Sequence, residues 1–151
     1  MIPIHVKVTF DELFTRSRSG AIWGRVYFEI GDDDSFPNRE WTDLVAAFLR
    51  IWLEVLLRSV QVGEESQRAE FLDGPFGVDM STGSHGLLHL SFVGRDVVRY
   101  SIDAKVADLL QDAVSAVQQL IRKCEEKGWA NADTEGLKSL VRQATKTLAE
   151  G

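Results

Sequence analysis

The stretch from Asn38 to Gln61 reads NREWTDLVAAFLRIWLEVLLRSVQ, with apolar residues at 41, 44, 45, 48, 51, 52, 55 and 56. That recurrence at three to four residues is the period at which side chains share one face of an α-helix. Pro37 stands just ahead of it, and the first turn of a helix tolerates the missing N–H of proline, so the pattern predicts a helix over about 38–61. Its polar residues, Asp43, Arg50, Glu54, Arg58 and Gln61, form only a narrow stripe, in which Glu54 is one turn from both Arg50 and Arg58. A helix with so little polar surface is enclosed on most sides, as a central helix lying across a sheet would be. Trp41 and Trp52, three turns apart on it, are both expected to face the core.

Working outward towards the N-terminus, Ala21–Ile30 alternates as a half-buried strand does. Ile22, Gly24, Val26, Phe28 and Ile30 share one face; Trp23, Arg25, Tyr27 and Glu29 share the other. Ile4, Val6, Val8 and Phe10 repeat the pattern, and the polar TRSRSG between the two runs fits a loop joining an antiparallel pair. Gly31 is followed by Asp32-Asp33-Asp34-Ser35, an exposed loop by composition.

On the other side of the helix, β-patterned runs at 68–72, 76–81, 86–93 and 97–102 are separated by turn-forming Asp73-Gly74-Pro75, Ser81-Thr82-Gly83-Ser84-His85 and Gly94-Arg95-Asp96. Leu88, Leu90 and Phe92 mark one face of the third run, and Val98, Tyr100 and Ile102 one face of the fourth. Asp103 offers a cap for a helix that Gly128 would stop, and a last helix is expected at about 134–148. The predicted order is ββαββββαα. Strands joined by tight turns, with helices added in blocks, define the α+β class: one domain over 1–151, with an antiparallel sheet of about six strands, a central helix after the second strand and two C-terminal helices.

The 151 residues carry a formal charge of −6, and residues 29–80 hold 12 acids against 4 bases. The acidity is therefore local. A negative chain with few bases there repels a phosphate backbone, so nucleic acid is not an expected partner. The apolar run Leu44–Leu57 is broken by Arg50 and Glu54 and falls short of the ~20 residues of a membrane span, so no membrane association is expected either. A single cysteine, Cys124, and the absence of a leader-like N-terminal stretch make the cytoplasm the expected compartment.

Candidate chemistry is sparse. His85 and His89 are four apart, but along a strand that is roughly 13 Å, too far for two imidazoles to share an ion. His5 reads as a strand-surface residue. Glu29, Asp32, Asp33 and Asp34 gather carboxylates, yet counting from Asp32 the sixth and twelfth places hold Pro37 and Asp43 where an EF-hand needs glycine and glutamate. Cys124 falls on the apolar stripe of its helix, as a core thiol does. Asp73 with Asp79 is one of many acid pairs that spacing cannot rank. Gly74-Pro75-Phe76-Gly77 lacks the Lys and Ser/Thr of a phosphate loop. No catalytic residue, metal ligand or cofactor site is assigned. Trp23 and Tyr27 are different: an aromatic pair on a sheet face with Arg25 and Glu29 has the composition of interface hot spots.

Two pieces carry a family resemblance: Phe36-Pro37-Asn38-Arg39-Glu40-Trp41-Thr42-Asp43, and Phe71-Leu72-Asp73-Gly74-Pro75-Phe76 about 20 residues after Trp52. They resemble the FPxxxWxD and F-x-DGP-aromatic signatures of small, mostly uncharacterised bacterial proteins, some regarded as immunity proteins of polymorphic toxin systems. The resemblance implies no catalytic residue and names no particular toxin. With the local acidity it leads to the expectation of a toxin-neutralising binding protein that occludes a basic toxin domain through Glu29, Asp32, Asp33, Asp34, Trp23 and Tyr27. A small carboxylate- or metal-dependent hydrolase and a structural adaptor are the alternatives.

Overall fold

The computed structural model describes residues 2–62 and 66–150. Strand β3 (Ile22–Ile30) organises the first half, and its burial alternates residue by residue, as its sequence does. Val26 and Phe28 are wholly enclosed. Arg25 faces Thr9 of β1 (Ile4–Thr9) across one edge and Thr42 of β5 (Thr42–Leu44) across the other. Trp23 likewise has Thr15 of β2 (Thr15–Arg16) on one side and Leu44 on the other. With β4 (Asp34–Phe36) paired to residues 28–30, β3 becomes the centre of a five-stranded antiparallel sheet.

The second sheet is a four-stranded antiparallel meander, β6 (Gln67–Glu70), β7 (Phe76–Thr82), β8 (Leu87–Gly94) and β9 (Val97–Lys105), in sequence order. Three helices complete the chain: α1 (Val45–Val62), α2 (Val106–Glu126) and α3 (Ala132–Glu150). The α+β class and the element order follow the sequence pattern, while the strands number nine among the described residues and divide over two sheets instead of one. The added strands have two or three residues each, too few to show a period.

Helix α1 is the common wall of the core. Trp52, 1% exposed, meets Phe28 edge-on at 4.8 Å, and Phe48 stacks on Phe71 beside β6 at 4.0 Å. Phe28 and Phe92 meet at 5.4 Å, so the two sheets also touch directly. The edge-on pairs of Phe28 with Trp52 and with Phe92 add about 0.5–1.5 kcal/mol each to simple burial. Arg50 and Glu54 form their one-turn pair at 3.2 Å, and Arg50 reaches on to Asp133 of α3 at 3.4 Å.

Three boundaries differ from the sequence reading. The central helix starts at Val45, because residues 42–44 pair with β3 and the Val26 N–H donates to the Trp41 carbonyl. Trp41 and Asp43 therefore leave the helix, and Pro37 lies buried in the turn before it. Asp103 does not cap α2. It sits inside β9, and α2 starts after Lys105 with no side-chain cap. Val98 is 55% exposed because a register shift opposite Phe92 and Val93 turns it off the core face, leaving Tyr100, Ile102 and Ala104 there. At α3, Asn131 and Thr134 exchange side-chain to main-chain hydrogen bonds of 2.9 Å in both directions, which fixes the start of the helix two residues earlier than predicted. Gly128, at φ +68°, ends the preceding segment as expected.

Candidate functional site

The outward face of β3 presents Trp23, Arg25, Tyr27 and Glu29, each partly exposed. Thr15 and Leu44 flank Trp23, Lys7 is the cross-strand neighbour of Tyr27, and His5 and Ser35 flank Glu29. Arg25 donates to Asp11, in the segment after β1, at 2.9 Å, so its charge is balanced locally. At the end of β3 the chain turns through Gly31, at φ +63°, and Asp32, Asp33 and Asp34 stand exposed at this corner. The six residues singled out in the sequence thus lie along β3, the turn that follows it and the first residue of β4. The two aromatic rings occupy the strand, and the three aspartates its end.

The acidic turn also borders something the sequence did not reveal. A groove of about 350 Å³ runs between it and β9, floored by Ile2, Ile30, Tyr100 and Ile102. The period of β9 was legible, but its position beside residues 31–34 depends on how the two sheets pack.

His5 donates from Nδ1 to Asp112 of α2 at 2.8 Å, while the other oxygen of Asp112 accepts the Val6 N–H at 2.8 Å. His85 lies in a short turn (Ser84–Gly86) at φ +59°. His89 donates to Asp103, its cross-strand neighbour, at 2.8 Å. Ser81 is the neighbour of His89 on the opposite side, so a serine, a histidine and an aspartate stand in one row on the open face of the second sheet. Among the described residues no hydrogen bond joins Ser81 to His89, and that bond is what would activate the hydroxyl. Asp79 takes Arg68 at 3.1 Å, whereas Asp73 is exposed in the turn before β7. Cys124 is buried; desolvation first, and the neighbouring Glu125 second, push its thiol up to about 11. Among the described residues no group of three or more His, Cys, Asp or Glu side chains is placed to hold a metal ion, and no helix is long and apolar enough to cross a membrane.

The two resemblance motifs meet in one buried knot. The Asp43 carboxylate, 0% exposed, accepts from Trp41 Nε1 at 2.9 Å, from the Leu44 N–H at 2.7 Å and from the Asp73 N–H at 3.2 Å. Trp41 lies 4.9 Å from Phe76 and covers Gly74, where a Cβ would come within 2.6 Å of the indole. Phe36 meets Phe71, Phe76 and Phe92. The motifs join the first sheet to the second.

Compared with protein-family models, with curated proteins and with solved structures, the chain finds no match in any of the three.

Proposed function

We propose that this protein is an immunity-type inhibitor, which binds a basic protein toxin and occludes it. The observation that carries this reading is the continuity of the β3 face, where Trp23 and Tyr27 lead into Glu29 and the exposed Asp32–Asp34 corner. Aromatic side chains bury much area at low entropic cost, and charges at the rim speed encounter with a partner of opposite sign. A toxin that acts on nucleic acid or nucleotides carries a positive cleft, which such a face complements. The likeness of the two motifs to those of bacterial immunity proteins agrees with this, and the cytoplasm, where such a toxin would act, is the compartment it implies. Neutralisation by occlusion asks no catalysis of the chain.

The test is the product of the adjoining gene. Expressed alone in a laboratory bacterium it should arrest growth; expressed with this protein it should be harmless and elute with it as one complex. A harmless neighbour, or growth arrest that this protein does not relieve, overturns the reading.

A further inference from the structure

β9 is the last strand of the second sheet, with β8 on one side and, among the described residues, no strand on the other. Which of its main-chain groups face the open side follows from the ladder. The Gly83 N–H donates to the Leu87 carbonyl, and the Phe71 N–H to the Phe76 carbonyl. Main-chain groups of successive strand residues point alternately to the two sides. Leu87, His89 and Ser91 therefore bond towards β7, and Leu88, Leu90 and Phe92 towards β9. Their partners Ala104, Ile102 and Tyr100 complete that ladder. The N–H and C=O of Ser101 and Asp103 are left pointing outward.

The first sheet treats its own edge differently. On β1 the outward Val6 N–H is taken by the Asp112 carboxylate of α2, which closes the strand to further pairing. On β9 the Ser101 edge opens into the 350 Å³ groove, whose floor is apolar and whose far wall is the Asp32–Asp34 turn. Arg99, the nearest base on β9, lies over the Phe76 ring at 5.3 Å and Asp103 is engaged by His89, so the unbalanced charge at the groove is negative. An open strand edge defines the geometry of the occupant, and the aspartates define its sign.

We propose that the free edge of β9 receives a basic, extended segment of the partner, which adds to the second sheet as a fifth strand. Its main chain pairs with Ser101 and Asp103, alternate apolar side chains enter the groove over Tyr100 and Ile102, and its Lys or Arg residues reach Asp32–Asp34. Main-chain pairing supplies affinity in this mode, and alternate side chains supply selectivity. The proposal rests on the reading of the protein as a binder of a basic partner and adds the manner of binding.

The probe is a nine-residue acetylated and amidated peptide of alternating Lys and Val, followed by amide NMR and hydrogen exchange on the intact protein. The expected result is slowed exchange at the Ser101 and Asp103 amides, with shifts at residues 31–34. Two control peptides, one with Glu in place of Lys and one with three consecutive central amides N-methylated, should bind at least ten-fold more weakly. Ser101→Pro removes an outward N–H without touching the β8 ladder, and proline is tolerated on a strand edge, so this variant should keep its denaturation midpoint and lose binding to the same degree. Should that variant unfold, the N-methylated peptide against the wild type decides alone. Equal binding by either control peptide, protection elsewhere in the sheet, or pairing of β9 with a second copy of the chain, seen as concentration-dependent dimerisation that protects the same amides, overturns the proposal. Neutralisation of the adjoining gene's product without peptide binding would reject the groove and leave the inhibitor reading intact. Peptide binding without a toxic neighbour would do the reverse.

Discussion

Asp43 and the run Asp32–Asp34 lie a dozen residues apart or less and carry the same charge, yet they do opposite things. Asp43 is fully enclosed, and its oxygens accept three hydrogen bonds from two motifs thirty residues apart. Asp32, Asp33 and Asp34 are exposed, and among the described residues none of them forms an ion pair. A carboxylate bonded on both oxygens by its own chain holds the fold; one facing water keeps its field for another molecule. The sequence signature that stands out most strongly belongs to the first kind. In this protein the recognisable motif is architecture, and the surface proposed to bind is marked by its composition and carries no motif.

The largest effects should come from the enclosed side of that comparison. Asp43→Ala leaves the Trp41 indole N–H and two main-chain N–H groups without acceptors, which at about 1–3 kcal/mol each should remove at least about 3 kcal/mol of stability. Trp52→Ala, which deletes the ring against Phe28, should cost about 3–5 kcal/mol of a total near 5–15. Urea denaturation measures both. A loss under about 1 kcal/mol for Asp43→Ala would place Asp43 on the same footing as the exposed turn and erase the contrast.

Gly74→Ala should come next, at about 2–4 kcal/mol, because the added methyl meets Trp41 and the residue sits at φ +141°. Combined with Trp41→Ala its steric share should shrink, and full additivity in a double-mutant cycle would show that the indole is not the obstacle.

A smaller effect is expected at Cys124. A thiol held protonated in the fold up to about 11 stabilises the native state fully below its unfolded pKa near 8.5–9, and loses that contribution as pH rises through 11. Thiolate absorbance of the native protein should rise with a midpoint near 11, and a midpoint near 8.5 would mean that α2 leaves the sulfur in water.

The smallest stability change belongs to the open side. Asp32→Lys, Asp33→Lys and Asp34→Lys together should move stability by no more than about 0.5 kcal/mol per site. Association with the proposed toxin partner should nevertheless slow, with dissociation changing less, and the difference should fade as salt shortens the screening length to about 8 Å at 0.15 M. Surface plasmon resonance at two ionic strengths reads this directly. Unchanged rates would remove the turn from the binding surface and leave the Trp23 and Tyr27 face.

Where local period and burial coincide, sequence alone was sufficient. The alternation of β3, the apolar stripes of α1 and α2 and the Gly128 stop each depend on neighbours within one or two turns. The placement of Glu29, Trp23 and Tyr27 on one face followed from the same alternation. Errors arose where a distant partner overrode a local pattern. Trp41 and Leu44 fit a helical spacing, but main-chain bonds to β3 hold residues 42–44 extended. Asp103 has the chemistry of a cap, but β8 extends its partner strand to Lys105 and His89 engages the carboxylate.

The sequence by itself determined which residues have an apolar side to hide, hence the α+β class, the order of the elements and the exposure of the acidic turn, because hydrophobic period and turn chemistry act over a few residues. Only the tertiary structure decided that the strands split into two sheets, that FPxxxWxD and FxDGP close on one another through Asp43, and that the Ser101 edge of β9 opens beside Asp32–Asp34. Those facts concern groups far apart in the chain. Their juxtaposition is set by how whole faces pack, and no local pattern records it.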